Sequence, residues 1–553
     1  MKKNISSIVP KVVAVLLILV VIIIIFKFAP NFIKNKDYEK INITINNNNV
    51  TKKLKYDAFK NEKNDIYLSF DDLKNYFDKY IYFDEENNQI ITTYDKKIEV
   101  FPIGKKEVLI NGVNKEINSE AIKKDGKIFL PITQMSNVYN LDIKYIENSN
   151  ILLLDSLDRK LIKADVNKNL NVKSKDKLFS GTVAKIKKGE KVVLIKKDKK
   201  WSKIRTQNGY IGYVKTSKIE NETTIRNSVT EKQNNDKINL VWDYYSEYAK
   251  APKRDGTKIE GVNVVSPSFF SLVKEGNGKI FDNAGTNGKA YVNWAKSNNY
   301  KVWAMVSNNS YKETTSKILN SYKLRTELIN NIVNIATTYE LDGINIDFEN
   351  MYEKDKDVYS RFIIELAPRL KENGRVLSVD VTAPDGGETW SMCFNRNVIG
   401  NVADYIIFMA YDQYGTGSTK SGTTAGFNWV ETNLKKFIDR EEVKAEKIIL
   451  GVPLYTRLWK EENDKVTSKV VNMNNINKTI PQEASRIWND DLKQYYVEYI
   501  KDNATYKMWI EDETSIKNKI SLIKTYNLAG CAAWEKDRET ENIWQIIAEG
   551  LKW

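Results

Sequence analysis

The sequence predicts a multidomain chain ending in a (β/α)₈ barrel, and three observations carry that prediction. The last 315 residues, Asn239 to Trp553, alternate short apolar runs with helical stretches, and eight of the runs are strand-like. Residues 38–158 contain an internal repeat, with Ile66 and Ile128 at equivalent positions. Near the N-terminus, Val12 to Phe26 is unbroken apolar sequence. At 553 residues the chain is too long for one ordinary domain.

Composition narrows the chemistry before any motif is considered. The formal charge is +14, but lysines are spread along the chain among acids and no dense basic run occurs. No nucleic-acid reader is visible, so the expected partners are anionic surfaces such as lipid headgroups or a polyanionic wall. The chain contains no histidine. That removes Ser-His-Asp and Cys-His catalysis, histidine-containing zinc sites and an imidazole base, and it leaves carboxylates, tyrosine, lysine and water. Cys393 and Cys531 form no CxxC pattern and read as two unpaired thiols, with no metal site and no cofactor expected.

The apolar run sits within residues 1–37. Ile8 to Phe28, with Lys11 and Lys27 snorkelling, supplies about the 20 residues a bilayer requires. The run ends in Lys27-Phe28-Ala29-Pro30 without a small-x-small site, which favours an uncleaved transmembrane anchor over a cleaved signal. The economical topology is a single pass at the cell membrane with the body outside; a secreted or spore-associated protein is the alternative.

Residues 38–160 form the repeat domain. Ile66-Tyr67-Leu68-Ser69-Phe70, Leu73 and Tyr76-Phe77 match Ile128-Phe129-Leu130-Pro131-Ile132, Met135 and Val138-Tyr139. Each copy continues into an alternating stretch, so the reading is strand, short helix and hairpin, twice. This resembles the small domain at the N-termini of some copper amine oxidases. Without histidine the resemblance brings no copper role, only a spacer or wall-contacting module. Residues 165–220 read as five short strands, and Leu170-Asn171-Val172, Gly189, Trp201, Gly209 and Gly212-Tyr213-Val214 resemble the bacterial Src-homology-3-type barrel. Residues 221–238 are polar and aperiodic and are expected to be a linker.

In the C-terminal region the strand-like runs are Asn239–Trp242, Gly261–Ser266, Lys301–Ser307, Gly343–Glu349, Val376–Ala383, Tyr405–Tyr411, Ile448–Leu454 and Gly530–Trp534. About 75 residues separate the last two, so a small α+β insertion is expected at roughly 455–528. In the fourth run, strand alternation puts Ile344, Ile346 and Phe348 on one face and Asn345, Asp347 and Glu349 on the other. The apolar face suits the helices and the polar face the lumen. Barrel lumens are normally filled by Val, Ile and Leu, and unpaired polar groups there cost several kcal/mol, so such a triplet argues for chemistry. Carboxylates at i and i+2 sit only ~6–7 Å apart, and a like charge that close raises one of the two pKa values. Glu349, at the open end, is then the natural proton donor.

With those residues in view, Asp342-x-x-Asn345-x-Asp347-x-Glu349 resembles the DxxDxDxE signature of glycoside hydrolase family 18, the chitinase-like enzymes. Gly343 lies within the motif. Met409-Ala410-Tyr411-Asp412 resembles the family's MxYD, Gly451 to Arg457 fits its seventh strand, and Ala533-Trp534 fits its eighth. The resemblance implies that Glu349 protonates the glycosidic oxygen while the substrate's own acetamido group attacks the anomeric carbon. Asp347 would orient that group and Tyr411 would hydrogen-bond to it. Trp534 would stack under the sugar, and Asn345, Asp412, Tyr455 and Arg457 would contact substrate or shape the site. Asn345 stands where the pattern has a third Asp, and it is expected to hydrogen-bond to Asp347 without adding charge. That variant is similar to the bacterial branch acting on peptidoglycan, including spore-cortex N-acetylglucosaminidases. The implied partner is a polysaccharide, peptidoglycan first and chitin second. A non-catalytic glycan-binding protein is the alternative of another class, which loss of Glu349 would have marked. Trp390, Tyr414 and Trp459 are further aromatics at possible subsites.

Overall fold

The computed structural model describes residues 41–228, 236–244 and 258–552. The apolar N-terminal run lies outside the described residues. Among the described residues no helix is long and apolar enough to cross a membrane. Residue contacts divide the chain into two compact units near residue 232.

In the N-terminal unit the two repeat copies face one another. Strand Ile66–Ser69 pairs antiparallel with Lys127–Pro131, setting Leu68 opposite Leu130. The copies differ in their second element. In the first, Ser69 accepts from the Asp72 backbone N–H and caps a helix over Phe70–Tyr76. In the second, Pro131 occupies the capping position without a side-chain acceptor, and only a single tight turn, Ile132–Gln134, follows. The expected second helix is therefore reduced to that turn. Leu68, Leu73, Leu130, Ile132 and Met135 are fully buried in a shared core. Seven strands form the next sheet, whose outermost strand is Ile219–Arg226. This corrects the reading of 221–226, the first part of the expected 221–238 linker. The strand pairs along Leu161–Val166 through backbone hydrogen bonds while most of its side chains face solvent, so it carries no apolar period to betray it.

The C-terminal unit is an eight-stranded parallel barrel: β1 Ile238–Asp243, β2 Val264–Pro267, β3 Lys301–Ser307, β4 Gly343–Asp347, β5 Val376–Val381, β6 Tyr405–Met409, β7 Ile448–Pro453 and β8 Gly530–Trp534. Pairing of β1 with β8 and of β2 with β3 closes the cylinder. β2 starts later than the apolar run suggests. Gly261 has φ +69° and leaves no room for a side chain, since a Cβ there would lie 2.3 Å from the Ala548 Cβ. β4 ends at Asp347, two residues short of Glu349.

Two cores hold the barrel. Ile344, Ile346 and Phe348 join Leu328, Ile332, Phe362, Leu366 and others in the layer between strands and helices. Inside, Leu240, Trp242, Val264, Trp303, Met305, Ile407, Ile449 and Ala532 fill the lumen. Between β7 and β8, a five-stranded antiparallel sheet spans Tyr455 to Trp509. The helix Glu513–Thr525 that follows starts at an Asp512–Ser515 capping box and buries Ile516, Ile520 and Ile523 in the barrel's outer core. The inserted portion therefore stops short of residue 528.

Candidate active site

The polar face of β4 points into the lumen, as strand alternation requires, and three of its motif residues meet at the C-terminal mouth. Asn345 is fully buried. Its Oδ1 accepts from Trp242 Nε1 at 2.9 Å and from Ser266 Oγ at 3.1 Å. Its Nδ2 donates to Asp380 Oδ1 at 2.7 Å. The expectation that this amide would bond to Asp347 is thus replaced: its donor is turned to β5, because two donors from β1 and β2 claim its oxygen. The Asp347 and Glu349 carboxyls hydrogen-bond to each other instead, with Glu349 donating.

Glu349 lies past the end of β4, so the sheet does not fix its backbone. Asn308, just beyond β3, does. Asn308 Oδ1 accepts from the Glu349 N–H at 3.0 Å and its Nδ2 donates to the Glu349 carbonyl at 2.8 Å and to Thr315 Oγ1 at 3.0 Å.

The electrostatics are those of acids crowded into an apolar cylinder. Burial, with Asp380's charge beside it, pushes the Asp347 carboxyl up to about 8. Burial, then the charge and hydrogen bond of Asp347, holds Glu349 well above the ordinary carboxyl range. Burial likewise raises Asp380. Both effects favour the protonated form of Glu349, the form a general acid needs.

Tyr411 follows β6 and turns its ring edge-on to Trp242 at 6.5 Å and to Tyr455 at 6.4 Å. Trp534, ending β8, stands 5.8 Å from Trp242 and 5.8 Å from the half-exposed Tyr244. Asp412 accepts from Tyr455 Oη at 2.7 Å and pairs with Arg457 at 3.4 Å. Met409 is buried at the end of β6.

The structure separates the rest of the motif from this cluster. Asp342 lies at the opposite end of β4, where it accepts from the Val302 N–H at 3.0 Å and pairs with Lys301 at 2.8 Å, tying β4 to β3. A Cβ on Gly343 would lie 2.7 Å from the Trp303 ring. Of the three further aromatics, Trp459 is core, fully buried with its indole N–H on the Gly422 carbonyl. Trp390 is about half exposed (47%) and available to a ligand. Sequence reasoning missed Asp380, Asn308, Trp242 and Ser266. Asp380 had a usable signal, because Leu377, Val379 and Val381 alternate with Ser378 and Asp380 just as the β4 residues do.

A parallel eight-stranded barrel with a buried acid, a neighbouring carboxyl and aromatic walls at its C-terminal mouth has the layout of a glycosidase. The model of the glycosyl hydrolases family 18 matches residues 240–539, more than half of the sequence, and the chain belongs to that family. Upstream, residues 168–220 match the bacterial SH3 domain and residues 40–154 the copper amine oxidase N-terminal domain. The chain is 28% identical over 302 residues to the uncharacterized glycosylase YvbX of Bacillus subtilis, spanning 53% of this chain and 85% of that one. It is 24% identical over 231 residues to the cortical fragment-lytic enzyme of the same organism, spanning 40% of this chain and 52% of that one. Among solved structures, a chitinase from Chromobacterium violaceum superposes with a TM-score of 0.50 at 22% identity, covering 57% of this chain and 99% of that one; this likeness shows the shared fold.

Proposed function

We propose that the chain hydrolyses β-1,4-linked, N-acetylglucosamine-containing glycan of the bacterial cell wall or spore cortex, with retention and with the substrate's acetamido group as nucleophile. The observation that carries this reading is the Glu349–Asp347 pair at the barrel mouth: a buried acid, its pKa raised, beside a second carboxyl. Glu349 gives its proton to the leaving oxygen and afterwards takes one from water. Asp347 orients the acetamido N–H and stabilises the oxazolinium cation, Tyr411 donates to the acetamido oxygen, and Trp534 carries the sugar. No histidine or metal is needed for any of these steps.

Peptidoglycan is favoured over chitin by the SH3-type module upstream and by the relation to a cortical fragment-lytic enzyme. The apolar run at 12–26 would tether the enzyme to the outside of the cell membrane. The chemistry is tested by Glu349→Gln, which is expected to abolish new reducing ends while leaving glycan binding measurable; full residual activity would sink the assignment. Parallel incubation with purified peptidoglycan, spore cortex and chitin oligomers, read by mass spectrometry, decides the substrate. N-acetylglucosamine at the new reducing ends of peptidoglycan supports the proposal, whereas muramic acid ends or turnover of chitin alone overturn it.

A further inference from the structure

We propose that Asp380 is the positioning partner of Asp347, a carboxyl group carried on β5 in place of the one that Asn345 omits from β4. The inference rests on the hydrolase reading of the site and adds a residue to it.

The first support is geometric. Ile346 pairs with Val379, so the next residues, Asp347 and Asp380, stand side by side on adjacent strands about 4.8 Å apart. Leu377, Val379 and Val381 belong to the outer core, which leaves Ser378 and Asp380 on the lumen face, both fully buried. Asp380 therefore flanks Asp347 on the side away from β3, inside the barrel, where no packing requirement calls for an acid.

The second support is the hydrogen-bond inventory of Asn345. Its oxygen is committed to two donors, Trp242 and Ser266, and its amide nitrogen reaches Asp380 at 2.7 Å. A carboxylate at position 345 would accept equally well from Trp242 and Ser266. It would also bring a like charge to hydrogen-bond distance of Asp380 and remove the donor between them. An amide at 345 and a carboxyl at 380 are thus complementary: one acid at the base of the site, held one strand over.

The third support is what remains unpaired. Asp380 Oδ2 and Asp347 Oδ1 are both buried without a hydrogen-bond partner. Buried polar atoms of this kind are uncommon in a settled core. Two of them on neighbouring strands leave acceptor capacity for a proton held between the acids once Glu349 has given its own to the substrate. The titratable groups facing this pair are Glu349 on the β4 side, Tyr411 beyond β6 and Tyr359 on the helix after β4; each adds negative character or none, so Asp380 acts to keep protons in the site.

The test is Asp380→Asn in the full-length chain, beside the wild type, Asn345→Asp/Asp380→Asn and Glu349→Gln. Removing the second acid next to Asp347 is expected to move the basic limb of the kcat/KM profile to lower pH by about one unit. It should lower kcat on the order of tenfold with KM little changed. The double variant returns a carboxylate to β4 and should restore both the limb and most of kcat. Loss of kcat with an unmoved limb, or a double variant no better than Asp380→Asn, overturns the proposal and assigns Asp380 a packing role. Carboxyl titration of Asp347, followed by NMR on chain labelled with ¹³C-aspartate, reads the same coupling without turnover. Its midpoint must fall in Asp380→Asn and recover in the double variant, and an unchanged midpoint refutes the partnership. Activity retained in Glu349→Gln would instead defeat the hydrolase reading, so the two failures are distinguishable. Should Asp380→Asn not fold by circular dichroism, the double variant, which keeps the Asn–Asp hydrogen bond with its ends exchanged, carries the test against the wild type: an altered limb and midpoint there would overturn the proposal.

Discussion

Replacing Asn308 by Ala tests how the catalytic acid is held, because the sheet ends before the acid begins. The substitution removes four hydrogen bonds at once: those to the Glu349 N–H, the Glu349 carbonyl, Thr315 Oγ1 and the Ser310 N–H, at 3.0, 2.8, 3.0 and 3.2 Å. Asn308 is itself only 1% exposed, so water reaches the vacated groups poorly. At about 1 kcal/mol per lost bond, the expected destabilisation is ~4 kcal/mol. For a unit of this size that amounts to roughly 6 °C in the melting temperature of the barrel. Activity should fall further than stability, because a proton donor displaced by about 1 Å costs on the order of a hundredfold. Calorimetry of the barrel transition and kcat for glycan cleavage, measured well below that transition, give the two numbers. A variant that melts within 1 °C of the wild type and keeps its kcat would refute the clamp, and with it the claim that Glu349 is placed by a side chain of the preceding strand–helix connection.

Two further outcomes follow from buried charge. Asp347 has its folded-state pKa pushed up to about 8. Its unfolded value is near 4, so between those pH values the folded chain holds a proton the unfolded chain has lost. Stability contributed by this group is therefore full below about pH 4 and lost as pH rises to about 8. Asp347→Asn should then gain on the wild type across that window, by ~2–3 kcal/mol once water in the open cleft is allowed for, and a gap between the two unfolding curves that stays constant with pH would show that no such proton exists. Lys519 and Glu511 form a pair that is 1% and 0% exposed, with Nζ–Oε2 at 2.8 Å. Lys519→Met leaves Glu511 charged and buried and should cost ~3–5 kcal/mol in urea unfolding. Adding Glu511→Gln should recover at least ~1 kcal/mol by removing the stranded charge, and failure to recover any would mean the pair is not coupled.

The barrel was readable because its strands are buried on both faces and so appear as bare apolar runs. Lys301–Ser307 and Gly530–Trp534 have the same bounds in sequence and structure. The mouth residues on β4 were readable by parity, which needs only one strand at a time. What stayed hidden depends on neighbours. Nothing in Val306-Ser307-Asn308 distinguishes a clamp from an ordinary strand-ending Asn, since the Glu349 backbone it holds is 41 positions away. The partner of Asn345 could not be read because two donors from Trp242 and Ser266, 103 and 79 residues upstream, decide which way its amide faces. Strand Ile219–Arg226 was hidden for the opposite reason: it is stabilised through its backbone, and its side chains carry no pattern.

The same accounting explains why the mouth of the barrel bears so many groups that a folding argument alone would reject. Asp347, Glu349 and Asp380 each lie where burial favours the neutral form, and two of their oxygens have no partner. Each is a local cost of ~1–3 kcal/mol. The lumen below them, packed with Trp242, Trp303, Met305 and Ile407, and the outer layer of helices carry the stability that offsets it. In this chain, which has no histidine, the proton donor is a carboxylic acid lifted out of its normal range, and burial beside other acids is what lifts it. The destabilisation at the mouth is therefore the source of the acid's reactivity: a substitution that relieves it, such as Asp347→Asn, makes the barrel easier to fold and leaves Glu349 less protonated near neutral pH.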